Sequence, residues 1–304
     1  MLILNPVAVK KIWGTDRIFK YSCKKSKQKV GSNYSVIAQK KQSNTIISKE
    51  YYGMKLYDLI LDNPVLFGLK KNEVFPVMIA ITGADQGLSI QVHPTDKYAQ
   101  KKENMQYGKC ESWYFIEAPT DGYIYSGTSL EDKEEIRDLI TQGEVERVVD
   151  HLDVCKNDLV FIPPGTLHAL TKGSLIYEIQ QSTDITYRFY DFNRLDQDGK
   201  KRELHLEKAL ETLCVKNKSE ISPTREGEDY KNYAYNLKLV KFTDSTKITN
   251  DSEIAQVYSL IKGKLKVVDY EIKQGMSFLL MPNECLKVDG NAELIIATCY
   301  SYWR

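Results

Sequence analysis

Short runs of β-branched and aromatic residues, separated by turn residues, occupy most of this sequence. The clearest are VFPVMIAIT (74–82), LSIQVHP (88–94), ESWYFIEA (111–118), GYIYSG (122–127), DLVFIPP (158–164) and SLIYEIQQS (174–182), and later AQVYSLIKG (255–263), KLKVVDYEI (264–272), SFLLMP (277–282) and AELIIATCYSYW (292–303). Runs of this length and composition are typical of half-buried, mostly antiparallel strands. The sequence therefore predicts a mainly β fold.

Three segments instead carry apolar residues at helical spacing. They are residues 129–152, which Gly143 is expected to divide into two helices, residues 202–213, and the weaker segment 54–61. One apolar face per segment predicts helices that pack against the sheets. In this assignment His151 lies at the end of a helix and His205 lies within one.

The β-rich pattern is interrupted once, by the polar, turn-rich residues 214–235, which predict a long connection. The strings NDLVFIPP (157–164) and GMSFLLMP (275–282) on either side of it share a turn, an apolar strand and a closing proline. We therefore predict two stacked β-sandwich units, residues 1–225 and 226–304.

The charge balance of the chain excludes several classes of partner. Its 304 residues include 42 Lys plus Arg and 41 Asp plus Glu, a net charge of +1 that provides no long-range field for nucleic acid or acidic lipid. No apolar run reaches the roughly 18 residues of a membrane span, and the first residues do not resemble a signal peptide. We expect a cytoplasmic monomer or weak homo-oligomer that binds neither nucleic acid nor membrane, with its six cysteines as free thiols.

Only four histidines occur, and two of them end strand-like runs. In the run QVHP (91–94), alternate residues share a face, so Gln91 and His93 are expected to project together at the rim of a sheet. In the second segment an apolar strand ends at the turn Pro163-Pro164-Gly165, and His168 follows directly. Proline restriction and glycine tolerance hold such a turn in a defined geometry.

The third candidate, Glu111, opens a strong strand. An antiparallel return of that strand is expected to bring its carboxylate opposite His93. Two imidazoles and one carboxylate suit zinc, and Gln91 offers an additional neutral oxygen. The pattern predicts a metal site of His93, Glu111 and His168.

Two arginines occur in the aromatic segment YRFYDFNR (187–194). Aromatic neighbours are expected to shield Arg188 and Arg194 from solvent, and both are candidates to face a cavity. A shielded arginine either forms a structural ion pair or binds an anion, and the spacing does not choose between these alternatives.

Four strings in this order resemble the type I mannose-6-phosphate isomerases of the cupin superfamily. They are LSIQVHP (88–94), GKCESWY (108–114), PPGTLHAL (163–170) and YRFYDFNR (187–194). The resemblance extends from about residue 12 to residue 211. It implies two cupin-like jelly-roll units, the second one degenerate, and an enzyme with one zinc ion per chain. The implied reaction interconverts mannose 6-phosphate and fructose 6-phosphate through an enediol or enediolate.

By matching positions, the resemblance also implies roles for nine residues. Gln91, His93, Glu111 and His168 correspond to the metal set, Arg188 and Glu178 to catalytic residues, and Ser89, Lys109 and Arg194 to substrate contacts. Because an arginine stays protonated, Arg188 is expected to stabilise negative charge. The proton carrier is then Glu178 or a zinc-bound solvent molecule.

The chain departs from the family pattern at three places. It has Gly31-Ser-Asn-Tyr34 where many members have Gly-Glu-x-Trp, and Leu170 where longer members place a tyrosine. In the second unit, Leu286 aligns with His168, so we predict no metal site there.

Two other functions share the predicted fold. A non-catalytic cupin-type protein that binds sugars or regulates would need neither the metal set nor paired arginines. A cupin oxidase or dioxygenase would use a redox metal, usually with more histidines. We therefore expect the isomerase.

Overall fold

The computed structural model describes residues 1–196 and 198–300 and confirms a mainly β fold. The first fifteen strands are β1 (Leu2–Asn5), β2 (Val7–Lys10), β3 (Val30–Val36), β4 (Ala38–Gln39), β5 (Gln42–Ser43), β6 (Thr45–Ile46), β7 (Val77–Gly83), β8 (Ile90–Val92), β9 (Glu111–Glu117), β10 (Tyr123–Ser126), β11 (His151–Asp153), β12 (Asp158–Ile162), β13 (His168–Ala169), β14 (Leu175–Gln181) and β15 (Tyr187–Tyr190). Eight more follow: β16 (Glu220–Pro223), β17 (Asp229–Lys231), β18 (Tyr235–Phe242), β19 (Thr246–Thr249), β20 (Gln256–Val267), β21 (Tyr270–Ile272), β22 (Ser277–Leu280) and β23 (Cys285–Cys299). The end of the last predicted run, 301–303, lies outside the described residues.

The helices agree with the sequence pattern except near residue 150. They are α1 (Leu56–Asp62), α2 (Asp96–Tyr98), α3 (Lys133–Gln142) and α4 (Leu206–Thr212), with shorter 3-10 or π turns at Asp16–Lys20, Lys49–Tyr51, Pro64–Phe67, Ala99–Glu103 and Val145–Arg147. Gly143 does end α3, in the left-handed conformation. The second predicted helix is wrong, because only one short turn forms before β11 begins at His151. His205 caps α4 rather than lying within it.

Three large antiparallel sheets form the molecule. One has seven strands in the order β16-β12-β9-β14-β7-β3-β2, and a second has five in the order β11-β10-β13-β8-β15. The third follows the path β17-β18-β23-β20-β22-β1-β6, with β19 and β21 paired to it. All their pairings are antiparallel, as the short runs and turns predict.

The side chains of the seven-stranded sheet alternate between two environments. In β14, Tyr177 and Ile179 pack into the large core shared with the nine-stranded sheet, whereas Glu178 and Gln180 point the other way, into a cavity. The period of two gives this sheet an apolar outer face and an inner face that is polar at the cavity and apolar around Trp113 and Ile176. The inner face meets the five-stranded sheet and forms a sandwich with it.

Helices α3 and α4 cover the outer face of the five-stranded sheet. Ile90 and Val92 of β8 pack there with Ile136 of α3 and Leu210 of α4 in one buried cluster. The prediction that the helices pack against the sheets is confirmed. Gln91 lies on the inner face of β8 and lines the cavity.

The nine-stranded sheet receives strands from both ends of the chain. The N-terminal strand β1 pairs with β22 and β6. Within the predicted connection 214–235, β16 pairs with β12 and β17 pairs with β18, so this segment joins two sheets instead of spanning solvent. The division into units 1–225 and 226–304 stays a prediction.

Two further expectations concern thiols and membranes. All six cysteines are free thiols. In the part of the chain that the structure describes, no helix is long and apolar enough to cross a bilayer.

Candidate metal centre

Three neighbouring strands of the five-stranded sheet bring three polar side chains into one row. His168 of β13 is paired with Gln91 of β8, and Gln91 is paired with Arg188 of β15. Residues directly opposite each other in an antiparallel sheet share a face. The row therefore presents an imidazole, an amide and a guanidinium side by side toward the seven-stranded sheet.

His93 joins this row from the end of β8, and the Pro-Pro-Gly turn holds it there. The backbone N–H of Gly165 donates to the carbonyl of His93 at 2.8 Å. Gly165 has a φ of +82°, a conformation that other residues adopt only with strain. The turn that precedes His168 thus also binds the backbone of His93.

Glu111 reaches the histidines from the opposite sheet. Its strand β9 belongs to the seven-stranded sheet, so the expected antiparallel return beside His93 is wrong. The carboxylate instead crosses the space between the sheets and lies 3.1 Å from Nε2 of His168 and 3.7 Å from Nε2 of His93. All three side chains are about 1% exposed.

The tautomers of the two histidines decide what this cluster can hold. Nδ1 of His93 lies 2.8 Å from the carbonyl oxygen of Ile185, and Nδ1 of His168 lies 2.8 Å from that of Thr166. Because a carbonyl oxygen only accepts, each Nδ1 carries the proton and each Nε2 presents a lone pair.

Most acceptor atoms of the cluster face no hydrogen-bond donor. The Lys109 ammonium faces one oxygen of Glu111, but both Nε2 atoms and the other oxygen of Glu111 are buried without a hydrogen-bond partner among the described residues, and the candidate ligand atoms lie within 4.8 Å of one another. Buried acceptors that face each other are costly unless a cation lies between them. The residues present therefore fit a metal ion held by two nitrogens and a carboxylate.

The protonation states of His93 and Glu111 also suit a metal ion. Burial, assisted by the positive charge of Lys109, holds the pKa of His93 well below its ordinary value, so the ring stays neutral. Burial alone would raise the pKa of Glu111, but Lys109 and the imidazoles outweigh it and keep the pKa well below the usual range. A neutral imidazole and an ionised carboxylate are the forms that bind metals.

A cavity of about 240 Å³ opens beside the cluster, between the two sheets. Five of the predicted site residues line it, namely Ser89, Gln91, Lys109, Glu178 and Arg188. Lys109 is itself paired with Glu111, with 3.0 Å between Nζ and Oε2. The sandwich therefore gathers most of the predicted site at one place.

The two predicted arginines have different environments. Arg194 binds the carboxylate of Asp191 and the carbonyl of Gly87, and it is absent from the described residues that line the cavity. Arg188 lines the cavity, forms no ion pair within the described chain, and its buried Nε has no hydrogen-bond partner there. The sequence left open whether these arginines form an ion pair or bind an anion. In the structure, Arg194 has a structural ion pair, and Arg188 is available to an anion.

Hydrogen bonds from His205 hold the backbone of Arg188 in place. The backbone N–H of Arg188 donates to Nδ1 of His205 at 3.2 Å, and the N–H of His205 donates back to the carbonyl of Arg188 at 2.9 Å. This histidine therefore contacts Arg188 through its backbone.

Glu178 lies in the opposite wall of the cavity. The hydroxyl of Thr82 donates to its Oε2 at 2.6 Å. Burial, together with the negative charge of Glu111, raises the pKa of Glu178 above its ordinary value. The shift favours the protonated form of this carboxyl group relative to an exposed glutamate.

Comparison with known proteins shows the family of this chain. A family model described as the catalytic domain of type I phosphomannose isomerase matches residues 1–113. Mannose-6-phosphate isomerase ManA of Bacillus subtilis is 37% identical over 214 residues, which cover 70% of this chain and 68% of that protein. The chain belongs to the type I phosphomannose isomerase family. The mannose-6-phosphate isomerase of Streptococcus mutans is 35% identical over 223 residues, or 73% of this chain and 70% of that protein.

A solved structure extends the family likeness over the whole fold. The crystal structure of a mannose 6-phosphate isomerase from Bacillus subtilis has a TM-score of 0.84 with this chain and 27% sequence identity, and covers 98% of this chain and 99% of that one. The predicted cupin-like fold of the phosphomannose isomerase family is thereby confirmed.

Two of the positions at which the chain departs from the family pattern lie near the cavity or between the sheets. Ser32 and Tyr34 of the segment Gly31-Ser-Asn-Tyr34 both line the cavity, and the hydroxyl oxygens of Ser32 and Thr82 lie 3.1 Å apart. Leu170 is buried in the apolar cluster between the two sheets, with Trp113 and Ile176. A small hydroxyl thus stands where many phosphomannose isomerases have a glutamate.

Two basic residues of the cavity wall were missed by the sequence analysis. Lys11 and Arg202 line the cavity with Arg188. Lys11 directly precedes the IWG string (12–14), and Arg202 opens the segment predicted as a helix. Basic residues at such positions are common on surfaces, so no local pattern distinguishes these two.

Replacing a candidate ligand is expected to release the metal. His93→Ala removes one nitrogen donor from a closed cluster, so elemental analysis of the purified protein should find less than a tenth of the metal bound by the wild type. His151→Ala is the matched control, because that histidine is 45% exposed and stacks on Tyr123. Full metal content in His93→Ala would contradict the assignment.

Proposed function

We propose that this phosphomannose isomerase family member is a zinc-dependent aldose–ketose isomerase that interconverts mannose 6-phosphate and fructose 6-phosphate. The observation that carries the proposal is the convergence of two Nε2 lone pairs and the Glu111 carboxylate beside a cavity that also contains Arg188 and Glu178. The names of its relatives support the same activity. A cytoplasmic location and a monomeric or weakly associating state stay predictions.

Zinc is proposed because of the donor set. Two neutral imidazoles and one carboxylate are typical ligands of catalytic zinc, which keeps a further position open. We propose Gln91 as an additional neutral ligand, because its amide lines the cavity beside His168 in the row of strands. When bound, zinc supplies a Lewis acid that polarises the substrate oxygens near the reacting carbons.

Arg188 is proposed to stabilise negative charge. Isomerisation moves a proton between C2 and C1 through an enediol or enediolate, whose oxygens become more negative than those of the sugar. A guanidinium that has no ion pair and is partly shielded from water stabilises such charge more strongly than solvent does. Its backbone hydrogen bonds to His205 hold it ready before the substrate binds.

Glu178 is proposed to carry the proton. Its pKa is raised by burial and by the charge of Glu111, which brings the carboxyl group closer to the range that a proton shuttle requires. The Thr82 hydroxyl fixes one oxygen and leaves the other to exchange the proton. Arg188 cannot take this role because a guanidinium does not deprotonate.

We also propose Ser89, Lys109 and Arg194 as residues that contribute to substrate binding. Ser89 and Lys109 line the cavity directly. For Arg194, whose guanidinium is bound to Asp191, the contribution is indirect and is developed below.

The proposed activity is tested with the purified chain and mannose 6-phosphate. We expect fructose 6-phosphate to form, activity to disappear after dialysis against a chelator, and zinc to restore it. Activity that survives complete metal removal would contradict the zinc requirement. A folded, zinc-loaded protein without turnover would exclude the isomerase and favour a sugar-binding protein.

The role of Arg188 is tested by Arg188→Ala. We expect the variant to retain its metal and to lose about 100-fold to 1000-fold in kcat, the usual effect of removing one preorganised charge or donor at the reacting atoms. Arg147→Ala, at an arginine that is 64% exposed, is the control. A fully active Arg188→Ala enzyme would refute this role.

The role of Glu178 is tested by Glu178→Gln, which keeps the shape and removes the exchangeable acid. We expect kcat to fall by about 100-fold or more with metal content unchanged, and incorporation of solvent deuterium into the product sugar to fall equally. Glu203→Gln changes a carboxyl group that is 83% exposed and should leave both quantities unaltered. Unchanged deuterium incorporation in Glu178→Gln would assign proton transfer to another group.

A further inference from the structure

The cavity contains more positive charge than the catalytic roles require. Four basic residues line it: Lys11, Lys109, Arg188 and Arg202. Only Lys109 is balanced within the metal cluster, through Glu111. Asp184 is the one acidic residue of the lining besides Glu178, and it is exposed and forms no ion pair with the described residues.

Lys11 is held in the cavity wall without an anionic partner. Its side chain crosses Gly31, where a Cβ atom would come within 2.6 Å of the Cβ and Cγ atoms of Lys11, so only glycine admits this path. No carboxylate of the described chain lies within ion-pair distance of its ammonium. Burial, together with the charges of Arg188 and Arg202, lowers the pKa of Lys11.

The carboxylate of Asp191, which two arginines share, orients Arg202. Its Nε donates to Oδ2 of Asp191 at 2.6 Å, and a second nitrogen binds Oδ1. Arg194 binds the same carboxylate from outside the cavity lining. Asp191 is only 5% exposed, so one buried carboxylate serves two arginines and the group keeps a net positive charge.

The sheet topology places Lys11 and Arg202 away from the metal ligands. Lys11 follows β2, the last strand of the seven-stranded sheet, and Arg202 follows β15, the last strand of the five-stranded sheet. The metal cluster lies further in, on β9, β13 and the end of β8. The cavity therefore runs from the candidate metal to a basic end at the margin of the sandwich.

We propose that Lys11 and Arg202 bind the phosphate group of the sugar phosphate, with Asp191 and Arg194 as positioning residues for Arg202. The inference rests on the proposed function, because it assumes a substrate whose reacting carbons lie at the metal. Lys11 is partly buried without an anionic partner, and Arg202 shares its carboxylate with Arg194, so this end of the cavity carries uncompensated positive charge that is costly unless a ligand neutralises it. A phosphate dianion at the end of the sugar opposite to the reacting carbons satisfies this requirement.

The first experiment compares Lys11→Met with Lys10→Met, which changes the adjacent exposed lysine. For mannose 6-phosphate we expect KM to rise about tenfold to 100-fold in Lys11→Met, with kcat within about threefold of the wild type, because a phosphate contact is equal in the ground and transition states. Lys10→Met should match the wild type. An unchanged KM in Lys11→Met would overturn the inference even if the wild type is an active isomerase.

The second experiment does not depend on turnover. We expect inorganic phosphate to raise the Tm of the wild type and of Lys10→Met, and to raise the Tm of Lys11→Met and Arg202→Gln by less than half as much. Without phosphate, Lys11→Met should be at least as stable as the wild type, which reports correct folding. If the wild type proves inactive but this Lys11-dependent shift occurs, the phosphate site stands and the isomerase proposal fails. Equal shifts in all variants would refute the site.

Discussion

The structure of the site depends on two hydrogen bonds from imidazole to backbone carbonyl. With Nδ1 of His93 and of His168 each donating to a carbonyl oxygen, both Nε2 lone pairs are directed at the same point, where the Glu111 carboxylate also arrives. Buried acceptors that face one another are costly, so this arrangement favours a cation between them. The cavity, the neighbouring charges and the proposed chemistry are arranged around this constraint.

The layered architecture keeps that arrangement rigid. The seven-stranded sheet has its apolar face on the nine-stranded sheet, and the five-stranded sheet has its apolar face under α3 and α4. Each sheet is therefore anchored by hydrophobic packing on its outer side, and the inner faces are free to carry polar residues. Trp113 from the inner face packs edge-on against the His168 ring, with centroids 5.6 Å apart, and limits its movement.

Charge is distributed unevenly in a nearly neutral chain. Lys109 is paired with Glu111, and Arg194 is paired with Asp191, but Arg188 and Lys11 have no such partner in the described structure. The paired residues stabilise the fold and orient their neighbours. The unpaired residues are costly to bury, and the proposed anionic ligand would neutralise them. The same distinction separates the two arginines of the aromatic segment, which looked equivalent in the sequence.

The sequence by itself determined the mainly β class, the strands β7, β8, β9, β12 and β14 near the site, and the face shared by Gln91 and His93, because these follow from a local period of two and from turn chemistry. It also marked the turn that presents His168. Only the tertiary structure decided that Glu111 arrives from the opposite sheet, that Asp191 takes Arg194, and that Lys11 and Arg202 share a cavity with Arg188. The helix predicted up to His151 failed for the same reason, since pairing with β10 overrides local helical spacing. Alternation tells which side chains share a face, but which sheet covers that face is set by contacts distant in the chain.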